Sequence, residues 1–438
     1  MTTLNTTQIT KAVVVLASLR LGLLFYQSGF RYFDPDEFQH LQNAWFISIG
    51  RVPYKDYFEH HLPLLHLLLA PIFGFLDVQY QFDHAVAALM LSRQIMLVGL
   101  ILITLLTFFL ARRLADAPTA AWAVLFMLNA RFFGRVGIEI RPDIGAVVAF
   151  LGCFLCLAMA TGSELAAIHR RLLFFMSGVL LATSILFTQK SVFILPGLAI
   201  AMMVYLWSPG EKTSRLPRLQ DVLAQAVGFM VPLILVWSYF YLKGAGWELL
   251  HYNFLLNANW PSKLPLKDLL KNLIIHNPEL VIGSLAGTSV MLWQWWRSPT
   301  APLLILGLPA ALLSLGLGLL IIPVAQQQYY FLALPCMGII AAIGWTTCLR
   351  TLLGTPQAYQ RSLLGLLLLV SVESAVEIKN VEIRITRGLD NSEQLRQLRY
   401  VIEQTAPNDT LMSGWHTQGL FRRNAYYYFF SLLRKICG

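Results

Sequence analysis

The segment "DPDEF" (Asp34 to Phe38) sets three carboxylates, Asp34, Asp36 and Glu37, directly behind a long apolar run. A second crowd of reactive side chains follows at "YKDYFEHH" (Tyr54 to His61), with Lys55, Asp56, Glu59, His60 and His61. An ionised carboxylate fixed at a membrane surface is a candidate general base, and cations beside it could stabilise a developing anion. Part of the first cluster has a local explanation. Asp34 is a good N-cap, Pro35 suits the first helical position, and Glu37 stands three residues after Asp34 as in a capping box. Phe38, Leu41, Trp45 and Ile49 then form an apolar stripe at helical spacing, and Gly50 ends the helix. Asp36 has no capping duty, and the positive end of the helix dipole favours its ionised form. Asp36 is therefore the leading catalytic candidate, with Glu37 second and Asp34 assigned to capping. "DPD" also reads as the D-x-D of soluble sugar transferases, but that signature needs an α/β nucleotide domain, and no part of this chain builds one.

The elements that must position these residues are set by composition. The 438 residues are 57% hydrophobic and 13% charged, with a mean hydropathy of +0.61. Soluble domains carry about a quarter charged residues, so the chain belongs to the membrane class. Segments long and apolar enough to span lie near 11–29, 88–110, 118–133, 143–160, 171–188, 191–207, 222–242, 278–296, 301–322, 329–349 and 361–378. The expectation is an all-α polytopic membrane protein with about eleven spans. Runs such as "IMLVGLILITLLTFFL" lack the alternation of a lipid-facing strand, which excludes a closed barrel. "LPLLHLLLAPIFGFL" (Leu62 to Leu76) is short and broken by His66, Pro71 and Gly74, and reads as a helix lying in the interface.

Residues 1–378 are expected to form the membrane module, with a first loop at 30–87 carrying the acidic motif, and 379–438 a polar cap. The N-terminus reads as a retained anchor rather than a cleaved leader. Cys153, Cys156, Cys336 and Cys348 fall within spans, where packing is their expected role. The net charge of +10 is scattered through short loops, a pattern that suits anionic lipid and not nucleic acid. Lys and Arg divide equally between the two sets of loops, so charge bias leaves the orientation undecided. Arg20 lies deep in the first span and is expected to face the bundle interior, because an unpaired charge there costs at least ~2.5 kcal/mol.

The first loop resembles the corresponding outer loop of membrane glycosyltransferases with the GT-C fold, in the branch related to protein O-mannosyltransferases and the lipid A aminoarabinose transferase. The family pattern is an acid pair after the first span and then G-x-x-P-Y-[RK]-D-[FY]-F-[ED]-H-H-x-P-L. It is matched by Gly50, Pro53, Tyr54, Lys55, Asp56, Tyr57, Phe58, Glu59, His60, His61, Pro63 and Leu64. "IRPDI", with Arg141 and Asp143, falls where the family's second outer loop carries an important acid. "TQKS", with Lys190, is similar to a Thr-Lys-Gln turn with two residues exchanged. "NDTLMSGWHTQGLFRRNAYYYFF" resembles the tail beyond the last span. The resemblance implies that the first loop, "IRPD" and the tail lie on the extracytoplasmic face of the cell membrane.

It also implies an inverting glycosyltransferase. The donor would be a sugar on a polyprenyl phosphate in the bilayer, and the acceptor a hydroxyl of a lipid, glycan or protein. The absence of a Walker A loop fits a lipid-linked donor better than a soluble nucleotide sugar. Asp36 would take the acceptor proton. Lys190, His60, Arg141 and Lys55 are candidates to stabilise the leaving phosphate, Glu59 and Asp143 to orient acceptor or cations, and Tyr329 and Tyr330 to donate over the phosphate. Tyr54 and His61 complete the candidate set. Plainer roles stand beside these: Arg141 paired with Asp143 at a helix start, Lys190 snorkelling to the interface, and His60 and His61 as surface polar groups. No cofactor is expected to be required. A divalent ion on the histidines and acids is a minor alternative, since adjacent histidines rarely face one metal. A transporter or flippase is the rival function, and a lipid-sugar-binding protein without turnover a third.

Overall fold

The computed structural model describes residues 5–162, 165–207, 215–259, 266–297, 302–322, 326–412, 419–425 and 427. Of the tail singled out above, residues 413–418, 426 and 428–438 lie outside that set. Helices dominate, and the strands among the described residues are a two-residue parallel pair, Thr410–Leu411 with Arg423–Asn424.

In chain order the helices begin with α1 (Thr6–Phe30), α2 (Pro35–Ser48), α3 (Leu64–Phe75), α4 (Phe82–Leu114), α5 (Ala117–Asn129), α6 (Arg131–Val136), α7 (Pro142–Thr161) and α8 (Ala167–Phe187). A 3-10 turn (Gln189–Ile194) leads into α9 (Leu195–Trp207), followed by α10 (Arg215–Leu242) and α11 (Gly246–Leu250). Then come α12 (Leu266–His276), α13 (Pro278–Arg297), α14 (Pro302–Ile305), α15 (Gly307–Ile321), a second 3-10 turn (Gln327–Leu332), α16 (Leu334–Leu353), α17 (Pro356–Thr386) and α18 (Ser392–Gln404).

Among the described residues, eight helices are long and apolar enough to cross a membrane. The other three expected spans are helical too. However, α5 has 13 residues, and α13 and α17 fall outside the eight. The protein is a multi-pass membrane protein. Close helix approach is built on small residues: a Cβ on Gly178 of α8 would lie 2.0 Å from the Gln225 carbonyl of α10, and one on Gly228 of α10 would lie 2.0 Å from the Phe175 carbonyl.

Helix α4 has 33 residues, roughly 50 Å at 1.5 Å per residue, against a hydrocarbon core of about 30 Å. It must project from the bilayer. Arg93 and the Arg112–Arg113 pair lie roughly 30 Å apart along its axis, which suits opposite edges of the core. Beside the Arg93 end, α2 packs on α3. Helix α3 has only 12 residues, with Pro71 inside it, and exposes Leu68 and Phe75, as an interfacial helix would. Arg20 is buried, as expected, with Nη2 3.4 Å from the Leu128 carbonyl.

The tail is pinned to the first loop by reciprocal bonds. The Phe33 amide donates to Gln394 Oε1 (2.6 Å), and Gln394 Nε2 donates back to the Phe33 carbonyl (2.8 Å). Gln42 likewise bonds the Phe421 amide and the Arg422 carbonyl.

Candidate active site

Two adjacent acids at the start of α2 have opposite fates. Asp34 caps the helix and completes the capping box with Glu37. Glu37, the second catalytic candidate from sequence, is fully buried and saturated. Its Oε1 accepts from Arg93 Nη2 (2.8 Å) and the Asp34 amide (2.9 Å), and its Oε2 from Arg93 Nε (3.1 Å) and the Ile140 amide (3.0 Å). Arg93 also donates to the carbonyls of Ser28, Arg31 and Tyr32 and lies 3.8 Å over the Phe33 ring. It thus satisfies orphan carbonyls at the end of α1 while fixing the start of α2. Composition gave one usable signal for this residue: an arginine inside the apolar run of α4 must find a partner, by the reasoning applied to Arg20.

Asp36 points the other way. Its Oδ2 lies 2.7 Å from Arg141 Nη2, and its side chain is 36% accessible. The side chain of Asp34 is 19% accessible, and those of Glu37, Glu59, Glu139 and Asp143 are at most 2%. Asp36 is therefore the most accessible carboxylate of this group. Burial opposes its charge, but the neighbouring Arg141 guanidinium and the other polar neighbours hold it below the usual carboxylate range. Arg141 stands just ahead of Pro142, the first residue of α7, and its Nε is bound by Glu139 Oε2 (2.5 Å); Glu139 Oε1 in turn meets Arg31 Nη2 (2.5 Å). The result is a chain of alternating charges, Arg31–Glu139–Arg141–Asp36. Arg141 pairs with Asp36 and Glu139, not with Asp143 as the local reading of "IRPD" suggested.

Asp143 is instead bound by Lys190 Nζ at 2.7 Å. Lys190 sits in the 3-10 turn between α8 and α9, and its ammonium lies 4.2 Å from the Tyr329 ring centroid. Such a lysine is held, not snorkelling. Burial, with Asp143 nearby, pushes the Tyr329 hydroxyl up to about 12, so it remains a hydrogen-bond donor. Tyr330 packs against Phe132 with its hydroxyl buried and with no hydrogen-bond partner among the described residues.

The second reactive cluster is mostly architecture. Tyr54 has φ of 71° and is fully buried. It is locked there because its hydroxyl donates to the His61 carbonyl (2.7 Å), its own carbonyl accepts from Tyr427, and its ring meets Phe240 edge-on. Lys55 is exposed and donates to the Lys243 carbonyl (3.1 Å), so it faces α10 and not Asp36. Glu59 is buried and accepts from the His60 amide (2.8 Å), the His61 amide (2.7 Å), His61 Nδ1 (2.6 Å) and Asn43. The His61 ring meets His40 at 4.9 Å, and His40 Nδ1 is 3.0 Å from His66 Nε2. The His60 carbonyl accepts from Gln189 (3.2 Å) and Asn257 (2.9 Å), which ties the loop to the Lys190 turn.

Burial lowers His60 to about 3 and His61 to about 4, so these rings are neutral near pH 7 and act as hydrogen-bonding groups rather than fixed cations. Ligand atoms of Glu59, His60 and His61 lie within 4.8 Å of one another. An ion there would have to replace the His61–Glu59 hydrogen bond.

The site therefore gathers Asp36, Arg141, Lys190, Asp143, Tyr329 and His61 into one cluster, with Glu37, Tyr54 and Glu59 buried beside it as supports. Glu139, Arg31, Arg93 and His66 were not legible as site residues from the sequence.

No family model matches the chain, and no curated relative matches either. Solved structures do. ArnT from Cupriavidus metallidurans in the apo state superposes with a TM-score of 0.63 at 14% identity, over 94% of this chain and 84% of that one. The same protein bound to undecaprenyl phosphate gives 0.57 at 14% identity, over 90% and 75%. The archaeal oligosaccharyltransferase AglB from Archaeoglobus fulgidus, in complex with an inhibitory peptide and a dolichol-phosphate, gives 0.55 at 13% identity. That alignment covers 83% of this chain and about half (54%) of AglB. The chain has the GT-C fold shared by these membrane glycosyltransferases.

Proposed function

We propose that the protein is an inverting glycosyltransferase that moves a sugar from a polyprenyl-phosphate donor to an acceptor hydroxyl, at the extracytoplasmic face of the cell membrane. The observation that carries this reading is Asp36: an ionised carboxylate, the most accessible of its group, backed by Arg141 and set in a cluster that includes Lys190. The fold, shared with one protein bound to undecaprenyl phosphate and another bound to a dolichol-phosphate, supports the donor class.

In this reading the acceptor oxygen attacks the anomeric carbon as its proton passes to Asp36. The bond between that carbon and the phosphate oxygen breaks, and the phosphate leaves with its electron pair. One displacement inverts the anomeric centre. Lys190 and Arg141, already fixed in place, stabilise the charge that grows on the phosphate, and Tyr329 donates to it. Asp143 holds Lys190, and Glu59 holds the neutral His61 ring. Glu37 is a positioning residue that acts through Arg93. Lys55 and Tyr330 receive no part in the chemistry.

Lipid mass spectrometry of cells lacking the protein tests the donor. An accumulated polyprenyl-phosphate sugar is expected, and an unchanged lipid-linked sugar pool would remove the donor assignment.

A further inference from the structure

A second feature of the molecule is not used by this chemistry. Where the end of α1 meets α6, α12 and α17, a cleft of about 650 Å³ opens, lined by Arg31, Arg131, Arg135, Arg384, His276 and Glu377 among others. Four guanidinium groups thus line the cleft with one carboxylate; Arg31 is already paired with Glu139 behind the lining, which leaves three cations to Glu377. The guanidinium groups of Arg135 and Arg384 make no hydrogen bond or ion pair among the described residues. Arg31 is only 3% exposed, yet its Nε is buried with no hydrogen-bond partner among the described residues. Clustered like charges repel, and a buried, unpaired guanidinium N–H loses its hydration without compensation. An anion would relieve both.

The depth of the cleft points to the kind of anion. Helix α12, which lines it, exposes Leu270, Ile274 and Ile275 but turns Asn272 and His276 to the cleft. A helix divided in this way lies in the membrane interface, at headgroup level. Arginine forks match phosphate oxygens in pairs.

We propose that this cleft is a phosphate-binding site, separate from the Asp36 cluster, that takes a phosphate group at headgroup depth. Arg31 belongs both to the cleft and to the charge chain that ends on Asp36. The site does not depend on Asp36 being catalytic.

Calorimetric titration of the purified protein with inorganic phosphate provides the test. Because charge-assisted bonds are each worth about 1.5–3 kcal/mol, Arg135→Gln and Arg384→Gln should each weaken binding roughly tenfold or more. Lys243→Gln, at a different surface, should leave it unchanged. Repeating the titration in nanodiscs separates the sources of phosphate. Suppressed phosphate binding in phosphatidylglycerol discs relative to phosphatidylcholine discs assigns the site to a lipid headgroup. Equal binding in both assigns it to a free phosphate or a soluble phosphate ester. Asp36→Asn should retain the Arg135-dependent binding even where sugar transfer is lost, so this result and the proposed activity can fail independently. Affinity that is unaltered in both arginine variants, or no binding of phosphate by folded parent protein, would overturn the proposal.

Discussion

Asp36 and Arg141, 105 residues apart in the chain, meet through Oδ2 and Nη2 at 2.7 Å. The pairing matters because it does not consume the carboxylate. Arg141 is also gripped by Glu139, and the Asp36 side chain stays partly open. Its neighbour Glu37 has two bonds on each oxygen and no access. The two acids are therefore separable by mutation.

Glu37→Gln should act on folding. It strips the charge facing Arg93 in a fully buried pair, and breaking such pairs typically costs about 3–5 kcal/mol. Thermal unfolding in detergent should show a large loss for Glu37→Gln and little for Asp36→Asn. Equal, small losses would mean that Arg93 finds other compensation.

That contrast marks how far the sequence could be read. The Asp34 cap and the Gly50 stop are local, and both stand in the structure: the capping box is present, and Gly50 has φ of 85° just past α2. That Leu64–Phe75 forms a short helix and not a full span was legible from its length and its proline. The difference between Asp36 and Glu37 was not, because it depends on Arg93 and Arg141, which reach α2 from α4 and from the start of α7. The same holds for Asp143, whose partner Lys190 lies 47 residues on. Short motifs gave the residue types, and only the packing of helices gave the pairs.

Acid should destabilise the protein in a defined window. Burial lowers His60 to about 3 and both His61 and His66 to about 4, from an ordinary 6.5. Above pH 6.5 these rings are neutral in folded and unfolded chains alike, and no penalty applies. Below it the unfolded chain takes up protons that the folded cluster refuses, at ~1.4 kcal/mol per pH unit for each ring. Asp36, depressed below 3.8, supports the fold above that value and loses this contribution only as pH falls through its lowered folded-state pKa. Unfolding midpoints that stay flat as pH falls from 6.5 to about 4 would contradict a neutral histidine cluster.

Lys190→Ala should weaken use of the lipid donor, raising its apparent KM while leaving the acceptor KM nearly unchanged. It also leaves Asp143 as a buried, unpaired carboxylate, so some stability should be lost with it. Adding Asp143→Asn should recover the stability without recovering donor use. If the double variant regains normal donor kinetics, Lys190 serves only to neutralise Asp143.

The tail should come loose in Arg422→Gln. Arg422 is fully buried and donates to the carbonyls of Gln79, Ile402 and Thr405 and to Thr405 Oγ1. Losing bonds from a charged donor costs at least ~1.5 kcal/mol. Limited proteolysis should then cut around residues 405–425 well before the membrane helices. A cleavage pattern identical to that of the parent would show that the other contacts of the tail suffice.

Sugar transfer by Asp36→Asn in proteoliposomes supplied with polyprenyl-phosphate sugar bears most directly on the role given to this carboxylate. Loss of a positioned general base lowers the rate by about 10²–10⁴-fold, and the account predicts a fall of that size with the unfolding midpoint preserved. Transfer at the parent rate by the folded variant would contradict it.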